Sequence, residues 1–290
     1  MSSHTDQNGA VLEVGANLVR ADRFYRTIYE EIIDWVAIEK GMHVLDAGCG
    51  AGGVTSLLSK TVGTEGRVTA LDLDMEILDL AKESLQSLDS DSQVTFLKAD
   101  VTNIPLPDHH FDLVWCSRMI HHIDDQLSGI RELHRVLKPN GKIILREGGL
   151  RPKFLPADIG MGEPGLEDRL NVNFQRWFNT HVRPDKETLK YHYGWTQMLR
   201  DGGFNDISAR TFFLEFLSPF NHDQIDYIRH QLGVWLTTEE RKALLNTEDQ
   251  RTLENLLNSK SPLYAFNRTD LHYQEAVTLY LGRGSALKTT

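Results

Sequence analysis

Residues 44–53 of the chain read VLDAGCGAGG, and their pattern gives the clearest indication of the fold. The segment His43–Ala47 predicts a short buried strand, the glycines from Gly48 to Gly53 predict a tight turn, and Val54–Val62 predicts the helix that follows. Glycine permits both the sharp strand-to-helix turn and a close approach of the backbone to a ligand. A ligand site is therefore expected where this first strand ends.

Segments of strand length alternate with segments of helical period around this turn. The predicted strands after it are Arg67–Leu71, Val94–Leu97, Phe111–Cys116 and Lys142–Arg146. The predicted helices are Leu18–Val36, Met75–Leu88 and Leu127–Leu137, the last of them ended by a turn at Pro139-Asn140-Gly141. Residues 1–9 predict disorder. Five strands alternating with helices predict βαβ units and a parallel sheet that is covered on both faces.

The second half of the chain is less regular. Lys186–Arg200 predicts a helix that ends at a pair of glycines. Asn205–Phe216 and Ala276–Leu281 predict two further strands, and residues 221–259 hold two or three helical patterns. The chain therefore continues the α/β pattern, with long segments between its last elements.

Composition limits the classes of protein that fit. The 290 residues are 40% hydrophobic and 25% charged, which suits one large domain with a substantial cap. No apolar run reaches the ~18 residues that span a bilayer, and the N-terminus lacks a signal-peptide layout, so a cytoplasmic protein is predicted. A net charge of −10 argues against a nucleic-acid partner. Neither the two cysteines nor the histidines show metal-ligand spacing, so no metal is predicted.

Three aspartates lie at the ends of the first three predicted strands. Asp46 stands two residues before the first glycine, where a carboxylate suits a ligand with a free ammonium group and would repel a pyrophosphate. Asp72 is placed to accept both ribose hydroxyls, and Asp100 to accept from an adenine amine. Each alone equally fits a turn or a helix cap. The glycine spacing also fits G-x-G-x-x-G, so a nicotinamide or flavin site stays open.

An ordered set of motifs resembles class I S-adenosylmethionine (SAM)-dependent methyltransferases, closest to the ubiquinone and menaquinone biosynthesis subgroup. The matching runs are VLDAGCGAGG, ALDLD, LKADV, FDLVWCSRMIHHIDD and ELHRVLKPNGKIILRE, with a weaker match at MLRDGGFNDISARTF. The resemblance covers about residues 40–150. It implies an α/β, Rossmann-like sheet of seven strands in the order 3-2-1-4-5-7-6, with the seventh strand antiparallel. Residues 205–216 would form strand six and residues 276–281 strand seven.

The same resemblance implies SAM as the cofactor, S-adenosylhomocysteine (SAH) as the product, and a set of cofactor contacts. By ligand part, these are Asp46, Gly48, Cys49 and Gly50 at the methionine part, Asp72 and Leu73 at the ribose, Asp100 and Val101 at the adenine, and Ser117 beside the sulfonium. Tyr25 or Arg20 of the N-terminal helix would close over the cofactor. Cys49 and Cys116 are interpreted as buried small residues that face the cofactor, and not as nucleophiles.

Candidate catalytic residues lie at the ends of the fourth and fifth strands. A general base is needed only where the acceptor must lose a proton. His121 and His122 follow strand four and Glu147 ends strand five, so all three would face the ligand edge; packing or a salt bridge is the alternative role. Five aromatic residues of the second half offer a lining for an apolar acceptor and equally well pack against the sheet. They are Trp177, Phe178, Tyr191, Tyr193 and Trp195.

The sequence thus predicts methyl transfer from SAM to a carbon or oxygen of a small, hydrophobic or aromatic metabolite of secondary or quinone-like metabolism. Two alternatives stay open: an NAD- or FAD-dependent oxidoreductase, and a non-methylating SAM-binding protein of the same fold. A homo-oligomer is compatible with the sequence. The predicted organisation is an N-terminal helical segment (1–40), a SAM-binding core (41–150), a cap insertion (151–184), a core helix with strand six (185–217), a helical cap insertion (218–271), and strand seven with a tail (272–290).

Overall fold

The computed structural model describes residues 4–86, 93–182 and 191–285. The helices among these residues are α1 (His4–Val36), α2 (Gly53–Val62), α3 (Met75–Gln86), α4 (Gln126–Val136), α5 (Leu166–Trp177), α6 (Trp195–Asp201), α7 (His222–Gly233), α8 (Glu239–Lys242) and α9 (Thr247–Leu257). The strands are β1 (His43–Ala47), β2 (Arg67–Asp72), β3 (Gln93–Lys98), β4 (Phe111–Ser117), β5 (Leu137–Arg146), β6 (Leu150–Lys153), β7 (Asn205–Leu217) and β8 (His272–Arg283).

The strands form one sheet in the order β3-β2-β1-β4-β5-β8-β6, and β7 also pairs with β8. The first five strands are parallel to one another, and β8 runs antiparallel to β5. With β7 as predicted strand six and β8 as predicted strand seven, the Rossmann-like order 3-2-1-4-5-7-6 and the antiparallel last strand are confirmed. The short strand β6 was not predicted and pairs with the first part of β8.

Helices cover both faces of the parallel strands, because alternate residues of each strand point to opposite sides. On one face, Trp115 of β4 packs against Tyr29 of α1, with their ring centroids 6.2 Å apart. On the other face, Leu145 of β5 belongs to a buried cluster with Ile130 of α4 and Leu199 of α6. Because β1 to β5 are parallel, their carboxyl ends lie at one edge of the sheet.

Several predicted boundaries are wrong. The turn at Pro139-Asn140-Gly141 lies within β5, which begins at Leu137 and carries an irregularity opposite the start of β4, with Asn140 at φ +61°. The helix predicted from Lys186 begins at Trp195; residues 183–190 lie outside the described residues. At the N-terminus α1 already begins at His4, so the predicted disorder is wrong for residues 4–9.

The chain divides into two compact units. The first comprises Met1–Gly148, Glu187–Phe212 and Thr278–Thr290, and the second comprises Gly149–Lys186 and Phe213–Val277. Within the second unit, the guanidinium group of Arg169 on α5 is paired at 2.7 Å with the buried carboxylate of Asp249 on α9. That the predicted insertions cap the ligand site, and where their boundaries fall, stay predictions. No helix of the described residues has the length and apolarity to span a membrane.

Candidate functional site

The glycine loop folds back over the end of β2. The N–H groups of Gly48 and Cys49 both donate to the carbonyl oxygen of Leu71, at 2.8 and 2.9 Å. Gly48 has φ +75°, and a Cβ atom there would lie 2.6 Å from the side chain of Met119. Gly50 has φ +55°, where a side chain is strained. Glycine at both positions therefore follows from backbone conformation and, at Gly48, from crowding.

Asp46 brings a buried carboxylate to the base of this loop. It is 2% exposed, and its Oδ2 accepts a hydrogen bond from the Thr55 hydroxyl at 2.6 Å. Burial, together with the negative charges of Asp22 and Asp72, raises the pKa of Asp46 to about 7. The group is thus a carboxylate that a nearby cation would stabilise.

Asp72 lies on the other side of the same loop, as predicted. Its Oδ2 accepts from the Gly50 N–H and its Oδ1 from the Asp74 N–H, both at 3.2 Å. Burial again raises its pKa. Leu73, the next residue, is 64% exposed, so its side chain does not contribute to the core. The structure therefore brings Asp46 and Asp72 together around the glycine loop.

Asp100 lies at the neighbouring strand end, with its side chain turned to its own loop. Its Oδ1 accepts from both the backbone N–H and the hydroxyl of Thr102, at 2.8 and 2.7 Å. The backbone just before it is joined to β2, because the Ala99 N–H donates to the Asp72 carbonyl oxygen at 3.1 Å. Val101 is buried in the core cluster of α4. Asp100 thus lies at the same sheet edge as Asp46 and Asp72, while its carboxylate stabilises the turn that contains Thr102.

A fourth carboxylate, Asp22 of α1, was not predicted. Its Oδ2 accepts from the Gly53 N–H at 2.9 Å, at the first residue of α2. Desolvation raises its pKa to about 7. One signal was present in the sequence: Asp22 falls at helical spacing between Leu18 and Tyr25, in the apolar stripe of α1, where an acidic residue is out of place.

Helix α1 is fixed to the ends of β4 and β5 by a buried polar chain. The hydroxyl of Tyr29 lies 3.2 Å from Ser117 Oγ and accepts a hydrogen bond from Arg146. The same guanidinium group stacks 4.4 Å from the ring centre of Tyr25, which is 3% exposed. Tyr25 and Ser117, two predicted cofactor contacts, are therefore joined through Arg146 and Tyr29, whose roles were not predicted. Arg20, the other candidate on this helix, donates to Asn17 at 2.7 Å.

The candidate catalytic residues form one hydrogen-bonded group. His121 Nδ1 lies 2.7 Å from Oε2 of Glu147, and the His121 backbone N–H donates to Oε1 at 3.4 Å. Glu147 is 2% exposed. The ring of His122 lies 4.0 Å from that of His121, centre to centre. When Nδ1 donates to a carboxylate, the imidazole lone pair is on Nε2, which is the arrangement of a general base.

Neither predicted cysteine, Cys49 or Cys116, is suited to act as a nucleophile. Burial raises the pKa of both thiols far above the ordinary range. The aromatic residues fall into two groups: Trp177 and Phe178 belong to the second unit, and Tyr191, Tyr193 and Trp195 to the first. No cluster of three or more potential metal ligands occurs among residues 4–86, 93–182 and 191–285.

Comparison with known proteins gives consistent matches. A methyltransferase-domain family model matches residues 45–145. The demethylmenaquinone methyltransferase of Staphylococcus epidermidis is 30% identical over 195 residues, 63% of this chain and 76% of that protein. A ubiquinone/menaquinone biosynthesis C-methyltransferase of Shewanella sediminis is 34% identical over 189 residues, 60% of this chain and 71% of that protein.

Solved structures share the fold at lower identity. A putative methyltransferase from Bacillus halodurans is 19% identical with a TM-score of 0.54, and covers 89% of this chain and 99% of its own. The YcgJ protein of Bacillus subtilis is also 19% identical, with a TM-score of 0.52. These structures show the fold alone, and the family is shown by the curated relative that is 30% identical and 76% covered. The chain belongs to the class I SAM-dependent methyltransferases, in the subgroup of the ubiquinone and menaquinone biosynthesis methyltransferases, and its cofactor is SAM.

Proposed function

We propose that this methyltransferase acts on a small hydrophobic or aromatic acceptor, at carbon or oxygen, and that His121, oriented by Glu147, removes the acceptor's proton. The role of His121 as general base rests on the 2.7 Å contact between its Nδ1 and the buried Glu147 carboxylate. The names of the relatives, which refer to menaquinone and ubiquinone synthesis, support an acceptor of quinone-like chemistry.

The residues around the glycine loop fit SAM. The ammonium group of its methionine part needs an anionic partner, and Asp46 supplies a buried carboxylate whose contact in the described residues is the Thr55 hydroxyl. Asp72 and Leu73 would hold the ribose, Asp100 and Val101 would flank the adenine, and Ser117 would lie beside the sulfonium. Gly48, Cys49 and Gly50 would support the methionine part through the backbone, and Tyr25 would act through Arg146.

A dinucleotide fits the same loop poorly. Nucleotide folds place a pyrophosphate against the N–H groups at the start of the helix after the glycine loop. Here the Gly53 N–H, at the start of α2, already donates to the Asp22 carboxylate at 2.9 Å. Three carboxylates near the loop would repel a pyrophosphate. This charge arrangement and the family both decide against the oxidoreductase alternative.

Bound SAM supplies an electrophilic methyl group on a positively charged sulfur. The protein's own task is to align the acceptor and to control its proton. His121 Nε2 would accept the proton of an acceptor hydroxyl, and the resulting imidazolium would be stabilised by the Glu147 carboxylate. Deprotonation makes an oxygen more nucleophilic, and in a phenol or enol it also makes the conjugated carbon more nucleophilic. The same dyad therefore serves methylation at either atom.

The activity is tested by incubating a cell extract with the enzyme and deuteromethyl-SAM, followed by mass spectrometry. The wild-type enzyme is expected to give a product that carries the labelled methyl group. A protein that binds SAM and yields no labelled product from any fraction would be a non-methylating member of the fold. The cytoplasmic location, the role in secondary metabolism, the absence of a nucleic-acid partner and the oligomeric state stay predictions.

The base role is tested with His121→Asn, which keeps a polar side chain and removes the basic nitrogen. We expect the rate of methyl transfer to fall by about 10²–10⁴-fold, as is typical when a general base is lost. His222→Asn is the matched control, since its side chain is 90% exposed on α7. If the rate of methyl transfer to the identified acceptor is unchanged in His121→Asn, His121 is not the general base. The assignment as a methyltransferase would still hold.

A further inference from the structure

A chain of hydrogen bonds runs from the end of β5, through α1, to the end of β4. Arg146, the last residue of β5, is 5% exposed, and its guanidinium group donates to the hydroxyl of Tyr29 on α1. That hydroxyl lies 3.2 Å from Oγ of Ser117, the last residue of β4. Ser117 and Arg146 are paired in register, so both side chains lie on the face of the sheet that α1 covers. The three groups form a relay at the edge where the strands end.

The hydrogen bonds of this relay have a fixed direction. A guanidinium group can only donate, so the Tyr29 oxygen accepts from Arg146. Tyr29 is 6% exposed, and Ser117 Oγ is the one acceptor that the described residues offer to its hydroxyl hydrogen. Because a buried donor without an acceptor is costly, the Tyr29 hydroxyl donates to Ser117. The hydroxyl hydrogen of Ser117 therefore points away from Tyr29, and within the described part of the chain no protein group accepts it.

The positive charge of Arg146 strengthens the donor at the other end of the relay. Its guanidinium carbon lies 4.4 Å from the ring centre of Tyr25 and 5.2 Å from that of Tyr29, in a buried setting where charges act more strongly than in water. Hydrogen bonds in a chain polarise one another, so a cation at the start makes each following hydroxyl a better donor. Ser117 is half-buried, so a ligand can reach its hydroxyl. The relay thus offers a strengthened hydrogen bond to an anionic oxygen.

Asp46 presents the opposite charge on the neighbouring strand. It is in register with Trp115 of β4, and Ser117 follows Trp115 by two residues. Asp46 and Ser117 therefore lie on the same face of adjacent strands. One side chain suits a cation, and the other donates to an anion. The methionine part of SAM carries an ammonium group and a carboxylate on one carbon atom, and these two side chains match that pattern.

We propose that Ser117 is a specificity-determining residue of the cofactor site, which donates its hydroxyl hydrogen to the carboxylate of the methionine part of SAM. Arg146 and Tyr29 are positioning residues that act through Ser117. This inference rests on the proposed binding of SAM at the glycine loop, and it gives a chemical role to the predicted place of Ser117 beside the sulfonium end. SAM and SAH share the methionine part, so both are expected to use this donor.

The test is calorimetric titration of SAH and decarboxylated SAH into the wild type and Ser117→Ala at pH 8. Decarboxylated SAH keeps the ammonium group, the sulfur and the adenosine, and lacks only the carboxylate. We expect Ser117→Ala to lower the affinity for SAH by about ten- to thirtyfold, as is typical for a hydrogen bond to a charged group, and that for decarboxylated SAH by less than about twofold. Ser259→Ala is the matched control, since Ser259 is an exposed serine of the second unit. Thermal unfolding verifies that each variant is folded.

Tyr29→Phe tests the relay itself, because it keeps the ring and removes the hydroxyl that orients Ser117. We expect the affinity for SAH to fall by about threefold or more, and the double variant with Ser117→Ala to bind SAH no more weakly than Ser117→Ala alone. Losses that add in the double variant would show that Tyr29 does not act through Ser117, and would overturn the relay.

Two results would overturn the role of Ser117. Equal losses for SAH and decarboxylated SAH in Ser117→Ala would mean that the hydroxyl supports the structure of the site without contacting the carboxylate. An unchanged affinity for SAH would mean that it makes no contact with the cofactor. Neither result affects the cofactor site at the glycine loop, which is tested separately by whether the wild type binds SAM and whether Asp46→Asn weakens that binding.

Discussion

At the scale of single residues, we expect the carboxylates around the glycine loop to favour binding of a cationic ligand at the expense of the free protein's stability. Asp46 is 2% exposed, and burial raises its pKa in the folded protein from the ordinary 3.8 to about 7. The unfolded chain therefore loses this proton at lower pH than the folded protein does. From pH 4 to 7 the free energy of unfolding falls with rising pH on account of this group, and above pH 7 the loss is complete.

Asp46→Asn is accordingly expected to stabilise the cofactor-free protein at high pH. At pH 8 the variant should exceed the wild type by about 2–4 kcal/mol in free energy of unfolding, and near pH 4 the two should be similar. Urea unfolding at both pH values measures the difference. Comparing variant with wild type cancels the contributions of groups such as His43, whose pKa is lowered to about 4 by burial. A difference that does not change with pH would contradict the buried, ionisable state of Asp46.

SAM affinity should rise with pH through the same range, for a related reason. A cation binds the ionised form of Asp46 and Asp22, both of which have a pKa of about 7, so binding strengthens from pH 6 to 8 and then levels off. The other groups facing these two are Asp72 and Cys49, and burial raises the pKa of both. Calorimetric titration of SAM at pH 6, 7 and 8 measures the trend. An affinity that falls over this range would contradict it.

The positions of residues in the glycine loop and at strand ends could be predicted from the sequence, because they follow from the strand and turn patterns next to them. Asp46 and Asp72 are placed by the strands that precede them, and both lie at the loop as expected. Asp22 and Arg146 depend on where α1 packs, which is tertiary information. The sequence placed Asp100 at the correct edge of the sheet. Its carboxylate, however, accepts hydrogen bonds from Thr102 in its own loop. The sequence does not show whether an aspartate at this position bonds its own loop or a ligand.

At the scale of elements, the attachment of α1 to the sheet depends on the hydroxyl of Tyr29. It accepts from the buried Arg146 guanidinium and contacts Ser117. Tyr29→Phe keeps the ring and leaves that guanidinium group with one acceptor fewer, so we expect a loss of about 1–3 kcal/mol in free energy of unfolding. Urea unfolding measures it. Tyr193→Phe, at a position 71% exposed, is the control and should change little; equal small changes in both variants would contradict the role of Tyr29.

In the second unit, α5 and α9 are joined by a charged pair with one buried member. Arg169→Ala would leave the Asp249 carboxylate, 2% exposed, without its cation, a change that typically costs about 3–5 kcal/mol. Hydrogen exchange of α5 and α9 should accelerate in this variant. The control is Arg176→Ala, an exposed arginine on the same helix. Unchanged exchange in α9 would show that the pair does not hold these helices together.

Sequence patterns predicted element types better than element ends. The bounds of β1 agree with prediction because Gly41 and Gly48 interrupt the chain shortly before and directly after it. The start of β5 was missed because a turn signal at Pro139-Asn140-Gly141 is equally compatible with an irregularity within a strand. Strand β6 has four residues and no apolar alternation, so its pairing with β8 is decided by tertiary contact.

At the scale of the whole molecule, the parallel sheet brings chemically different strand ends to one edge. Asp46, Asp72 and Ser117 lie at the carboxyl ends of β1, β2 and β4, and Glu147 directly follows β5. In open α/β sheets ligands bind outside the carboxyl ends of the strands, near the point where the strand order reverses. The predicted cofactor residues and the His121–Glu147 dyad therefore occupy neighbouring parts of the same edge, as the proposed transfer between two bound molecules requires.

The strand order and cofactor followed from the resemblance of ordered motifs to a family, and the structure agrees with that order. The acceptor did not follow, because it depends on residues outside the motif region. Solved relatives at 19% identity share the fold alone, so they leave the acceptor open. The residues that choose the acceptor are to be sought among those that the motifs do not include.

We propose that the glycine loop and its buried carboxylate form the SAM site. Its most direct test is calorimetric titration of SAM into the wild-type protein and Asp46→Asn at pH 8, with Asp34→Asn as the control. We expect one SAM per chain in the wild type and the control, and an affinity at least tenfold weaker in Asp46→Asn, roughly the worth of one buried charged hydrogen bond. Equal affinity in all three proteins would contradict the claim.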